Sequence, residues 1–132
     1  GIGSLLADGI GETIRVSLTG DPLKEVSAAK DILKAVGKGS GVELVSCPTC
    51  GRTRIDLVRA ASMIEDAVRD IDKNVKVAVM GCVVNGPGEA MEADIGIAGG
   101  DKCAVIFKKG KVLRKISEDE IVPELLKEIE KL

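Results

Sequence analysis

Three cysteines and one glutamate stand out by residue type and spacing. Cys47 and Cys50 form a C-x-x-C pair within Ser46-Cys-Pro-Thr-Cys-Gly-Arg52, while Cys82 and Glu89 lie in Gly81-Cys-Val-Val-Asn-Gly-Pro-Gly-Glu89. A C-x-x-C alone fits a zinc knuckle, a thioredoxin-like dithiol beside a helix N-terminus, or part of an iron-sulfur site. A dithiol enzyme needs two sulfurs, and here an elaborate Gly/Pro loop carries a third. A four-sulfur zinc site would draw in Cys103, but no second C-x-x-C closes the knuckle and Cys103 opens an ordinary strand. Burial as a small apolar side chain is the plain reading for Cys103. It suits the other three less, because Pro and Gly are costly in regular structure and so argue for a shaped site. The remaining reading is a four-iron cluster held by three thiolates, its fourth iron open or bound by a weaker oxygen ligand. A carboxylate such as Glu89 suits that position, since it can leave when a substrate oxygen arrives and the iron then acts as a Lewis acid.

Composition removes most competing chemistries. The chain has 132 residues, 45% apolar and 30% charged, with a net charge of -2, enough for one compact domain or a domain plus an appendage. It has no histidine, tryptophan or tyrosine, and Phe107 is its one aromatic residue. A Ser-His-Asp triad, a Cys-His pair, a histidine metal site and base stacking therefore lack their parts. Near-neutral charge with scattered basic residues argues against nucleic acid. No apolar run approaches the roughly 20 residues of a membrane span, and the start reads as no signal peptide, so the expected setting is cytoplasmic, with reduced thiols.

The elements that must position the cysteines can be read from periodicity. Thr13 to Thr19 alternates Ile14, Val16 and Leu18 against Arg15 and Ser17, which predicts a strand; Asp21-Pro22 then opens a helix that Gly37 ends. Lys38-Gly39-Ser40-Gly41 is a flexible stretch, and the expected domains are 1–40 and 41–132. Beyond it, Val42 to Val45 predicts a strand, a helix from about Asp56 buries Leu57, Val58, Ala61, Ile64, Val68 and Ile71, and Val75 to Met80 predicts a buried strand. Ile95 to Ala98 is a further strand, Gly99-Gly100-Asp101 a turn, and Ala104 to Lys108 with Val112 to Ile116 a hairpin around Lys109-Gly110. Ser117 and Glu120 have capping-box spacing before a last helix. The order after the boundary is β-α-β-β-β-β-α, an α/β (α+β) class with a mixed sheet of about four to five strands. Asp101 to Ser117 holds six Lys or Arg against one Asp. Solvated surface is the plainer reading of that hairpin, and a docking patch for an acidic electron donor the sharper one.

The two cysteine motifs, in this order and about thirty residues apart, resemble the C-terminal iron-sulfur domain of the 4-hydroxy-3-methylbut-2-enyl diphosphate synthase family. Gly9-Ile-Gly-Glu-Thr-Ile-Arg-Val-Ser-Leu18 with Asp21-Pro22 resembles that family's last barrel strand and the start of its last barrel helix. The resemblance covers nearly the whole chain but only the C-terminal part of the family protein. It implies a leftover TIM-barrel βα unit at residues 1–40 and a sulfite/nitrite-reductase-like domain at 41–132. It further implies a [4Fe-4S] cluster on Cys47, Cys50 and Cys82, with Glu89 as the exchangeable fourth ligand, and Asn85 facing the substrate.

The implied reaction opens 2-C-methyl-D-erythritol 2,4-cyclodiphosphate by two-electron reduction, with ferredoxin or flavodoxin as donor and a homodimer as the working form. Arg15 and Ser17 share one face near the C-terminal end of the expected barrel strand, where barrels place phosphate contacts, and both resemblance and geometry suggest diphosphate binding there. Gly99-Gly100-Asp101-Lys102 reads as a plain turn before an anion site, and Arg52 either stabilises thiolates or caps its loop. The competing class is a non-catalytic metal-binding module, a zinc-stabilised domain or an electron-transfer subunit. Without earlier barrel strands the unit at 13–37 has no parallel neighbours, so the chain reads as a fragment that assembles a cluster yet needs a barrel in trans to turn over substrate.

Overall fold

The computed structural model of the protein describes residues 1–84, 88 and 90–132. Two compact units make up the chain, Gly1–Gly41 and Val42–Leu132. The first contains helices α1 (Ile2–Ala7) and α2 (Leu23–Ala35), which pack on each other with Gly3 opposite Val36 and Ile32. Asp21 starts α2 by accepting the Leu23 N–H on its carboxylate at 3.0 Å. No residue of α2 is buried, and Leu23 and Val26 on it are exposed.

The expected strand over Thr13 to Thr19 is absent. The segment has no ladder, although the alternation survives as half-buried Ile14 and Val16 between exposed Arg15 and Ser17. Alternation specifies a face, but a strand also needs a partner for its N–H and C=O groups, and no neighbouring strand is present in this unit.

The second unit is a five-stranded mixed sheet in the order β1-β2-β3-β4-β5. Its strands are β1 (Glu43–Ser46), β2 (Lys76–Met80), β3 (Ile95–Gly100), β4 (Cys103–Lys108) and β5 (Lys111–Ser117). β1, β2 and β3 run parallel, and β3, β4 and β5 pair antiparallel. Parallel neighbours need a crossover, and helix α3 (Leu57–Val68) supplies it between β1 and β2. Asp56 caps α3 by accepting the Arg59 N–H at 3.1 Å. A 3-10 turn, Glu118–Glu120, leads from β5 into helix α4 (Ile121–Glu130), with the Ser117–Glu120 capping box formed. No helix among the described residues is long and apolar enough to cross a membrane.

Both faces of the central strands are covered, as their near-continuous apolar sequences require. On one face Val77, Val79, Ile95, Ile97 and Ile106 pack with Leu57, Ile64 and Val68 of α3 and Ile121, Leu125 and Ile129 of α4. On the other, Ala78, Met80, Ala98 and Phe107 pack with Ala90 and Ala93. Phe107 is fully buried, and its ring lies over Gly96, where an added Cβ would stand 2.5 Å from the ring and 2.6 Å from the Ala78 carbonyl oxygen. Val58 departs from the expected buried stripe of α3 and is 69% exposed, because it faces away from the sheet.

One ion-pair group joins β5 to α4. Arg114 reaches Glu124 and, at 2.9 Å, Glu128, while Lys127 pairs with Glu124 and Lys131 with Glu128. Lys131 first and Arg114 second hold the Glu128 carboxyl below its ordinary range; Lys127 and then Arg114 do so for Glu124.

Two outcomes follow from this packing. Gly96→Ala forces a methyl against backbone and ring, and a fall in the urea midpoint corresponding to about 1–3 kcal/mol is expected; an unchanged midpoint would show that the sheet gives way there. Carboxyls depressed in the folded state contribute stability above their unfolded pKa, roughly 4.3, and lose it as pH falls through the folded value. Arg114→Gln should therefore melt below the wild type at pH 7, with the gap closing as pH falls below the unfolded carboxyl value and through the lowered folded one. A gap constant with pH would assign Arg114 to packing alone.

Candidate metal centre

Parallel pairing brings the ends of β1 and β2 to one edge of the sheet, and the cysteine loops begin there. Ser46 is registered with Val79, and the ladder continues one step when the Cys47 N–H donates to the Val79 oxygen at 3.3 Å. Cys47 is thus fixed by the sheet itself. Pro48 has no N–H and ends the pairing. Half-buried, Cys47 packs at the margin of both apolar clusters.

Gly81 follows β2 directly and donates its N–H to the Cys47 sulfur at 3.3 Å. Its carbonyl accepts the Arg54 N–H at 2.9 Å, so the loop after β1 and the loop after β2 are bonded on both sides of one residue. A side chain at 81 has no room: an added Cβ would lie 2.9 Å from Thr53 Oγ1 and 3.0 Å from its Cγ2. Cys82 comes next and is half-buried.

Cys50 is exposed and sits in a turn closed by Thr53, whose N–H donates to the Cys50 oxygen at 3.0 Å and whose hydroxyl accepts the Cys50 N–H at 3.1 Å. The Arg52 backbone N–H, with smaller contributions from the Thr53 and Arg52 side chains, lowers the Cys50 thiol below its ordinary value. The sequence reasoning passed over Thr53 and Arg54; their signal was position, three and four residues after Cys50 and immediately before the helix cap.

All four cysteines are free thiols. Among the described residues no three His, Cys, Asp or Glu side chains stand close enough together to hold a metal ion. The donor set nevertheless fits a thiolate-bound group: Cys47 and Cys82 follow adjacent parallel strands, the Gly81 N–H donates to the Cys47 sulfur, and the surroundings of Cys50 lower its thiol, as suits thiolate ligands. Asn85 and Glu89 lie outside the described residues. Arg15 and Ser17 belong to the other unit, where both are exposed. Cys103 opens β4 opposite Gly100, half-buried. β3 runs on through Gly99 and Gly100, leaving Asp101-Lys102 as a plain tight turn.

Beside Cys47 a shallow groove of about 510 Å³ is lined by Pro48, Thr49, Val58, Ala61 and Glu65. The basic hairpin lies elsewhere. β4 runs away from the cysteine edge, so Lys108, Lys109 and Lys111 sit at the far end of a strand that spans about 17 Å. That placement leaves solvated surface as the reading of the hairpin tip.

Comparison with known proteins places the chain in a family. Residues 43–131 match the model of the GcpE protein C-terminal domain, and residues 1–30 match the GcpE TIM-barrel domain. The chain is 62% identical over 133 residues to a 4-hydroxy-3-methylbut-2-en-1-yl diphosphate synthase (flavodoxin) of Caldanaerobacter subterraneus subsp. tengcongensis, covering 100% of this chain and 38% of the relative. The enzymes of the same name from Clostridium acetobutylicum and Clostridium perfringens are 59% and 60% identical over 100% and 98% of this chain, again 38% of their own length. The chain thus spans well under half of the curated relatives it matches, at their C-terminal end, and it belongs to the GcpE family.

Proposed function

We propose that this chain is the cluster-bearing part of an iron-sulfur oxidoreductase that reductively opens 2-C-methyl-D-erythritol 2,4-cyclodiphosphate to 4-hydroxy-3-methylbut-2-enyl diphosphate. The relatives carry the name of that synthase, an oxidoreductase of isoprenoid biosynthesis, and flavodoxin appears in it as the electron donor. The observation that carries the reading to these residues is the Gly81 N–H donated to the Cys47 sulfur, which joins the two cysteine loops at one candidate ligand.

On this reading Cys47, Cys50 and Cys82 hold a [4Fe-4S] cluster and the Glu89 carboxylate is its exchangeable fourth ligand. Such a group, when bound, supplies single electrons and a Lewis-acidic iron. The protein residues supply the rest. Backbone N–H groups at Cys47 and Cys50 spread the negative charge of the sulfurs. By residue type, the Glu89 carboxylate would hold a proton for the departing oxygen, and the Asn85 amide would orient the substrate by donating to its oxygens. Arg15 and Ser17 bind the diphosphate through a cation and a hydroxyl. Two electrons and two protons enter, the ring C–O bond breaks, and one water leaves with the linear diphosphate. Flavodoxin or ferredoxin as donor, a homodimer and a reducing cytoplasmic setting belong to the same proposal.

Anaerobic reconstitution with iron and sulfide tests it. About four irons and four sulfides per chain are expected, with Cys82→Ser abolishing stable incorporation and Glu89→Ala keeping the metal but changing the electron paramagnetic resonance spectrum. Tight stoichiometric zinc without sulfide uptake would make the chain a structural metal module instead.

A further inference from the structure

Gly81 and Thr53 meet where all three candidate ligands are within one residue or one hydrogen bond. Gly81 donates to the Cys47 sulfur and is joined covalently to Cys82, while Thr53 is hydrogen-bonded twice to Cys50. Thr53 Oγ1 and Cγ2 fill the space above Gly81 that a Cβ would occupy, and Leu57 closes the same space from behind. The Arg54 N–H, next in the chain, locks to the Gly81 carbonyl at 2.9 Å.

Residue type matters at this contact. The Thr53 oxygen accepts the Cys50 N–H, which leaves its own proton free to donate toward the Cys50 sulfur, and its methyl packs on Gly81. Valine keeps the shape and loses both hydrogen-bonding functions, whereas serine keeps the hydroxyl and loses the methyl. Alanine at 81 would push Thr53 aside, because both of the nearest atoms belong to a short, branched side chain.

We infer that Thr53 is a positioning residue for the cluster site, a clamp that holds the Cys50 turn against Gly81 and so sets the placement of Cys50 relative to Cys47 and Cys82. This rests on the cluster reading proposed above. Partners one shell out from a metal ligand commonly set metal retention by about 10–100-fold without touching the metal.

The test compares the wild type, Thr53→Val, Thr53→Ser and Gly81→Ala as full chains. In metal-free protein, exchange of the Cys50 amide hydrogen should be at least about tenfold faster in Thr53→Val than in Thr53→Ser, since only valine removes its acceptor. After anaerobic reconstitution, Thr53→Val and Gly81→Ala should lose iron and sulfide about tenfold faster than the wild type and show a shifted reduction potential, with Thr53→Ser close to the wild type. Failure of the wild type to take up sulfide overturns the cluster reading itself. A wild type that takes up the cluster, with Thr53→Val matching it in retention, potential and spectrum, overturns the clamp. If Thr53→Val does not fold, the serine variant decides: loss of the cluster in a folded Thr53→Ser would reduce Thr53 to packing and overturn the assignment.

Discussion

The parallel register of β1 on β2 is the constraint on which the rest depends. Ser46 opposite Val79 puts the carboxyl ends of both strands at one edge, so two loops more than thirty residues apart in sequence start side by side. An antiparallel pairing would have sent them to opposite ends. The crossover that parallel pairing demands is α3, and its first turn follows directly from the Cys50 loop, so the helix that seals one face of the sheet also fixes where that loop ends. Burial of β2 on both faces makes the register hard to change: a shift by one residue would exchange Val77 and Val79 with Ala78 and Met80 between a large-residue layer and a small-residue one.

That asymmetry of layers explains how the protein uses its only phenylalanine. The face opposite the helices is packed mostly with alanines, which leaves room for one large ring, and Gly96 on the neighbouring strand gives up its side chain to admit it. Gly81 repeats the solution at the candidate site, where the missing side chain admits Thr53. In both places a glycine is required by what packs on it, and both were legible in the sequence only as glycines at or beside a strand.

Elements whose evidence is local were readable. The apolar runs of β2 and β4, the Asp56 cap and the Ser117–Glu120 box each depend on residues within one turn or strand. Features that depend on a partner were not. Thr13 to Thr19 has a strand's alternation without a ladder, Val58 lies on the apolar stripe of α3 but on its outward side, and the acids Glu124 and Glu128 are engaged with Arg114 across the β5–α4 contact instead of merely solvated. Around the cysteines, Pro and Gly announced a shaped loop, but the hydrogen bonds that shape it come from Thr53, Arg54 and Gly81, none of which carries chemistry by type.

Distance then limits how electrons can arrive on the proposed function. The hairpin tip with Lys108, Lys109 and Lys111 stands a full strand from the cysteine edge, so attraction of an acidic partner to it would hold that partner about 17 Å along the sheet from the sulfurs. Lysines on the edge strand β5 have a sufficient role already, since charge there discourages another chain from adding to the open ladder. At the other end Cys50 is exposed and Arg52, Arg54 and Lys102 are exposed around the same sheet edge. On the proposed function, a donor that approaches there has a short path to the sulfurs beside Arg52 and Arg54, so the end of the sheet that parallel pairing reserves for the cysteines would also be the end at which electrons enter.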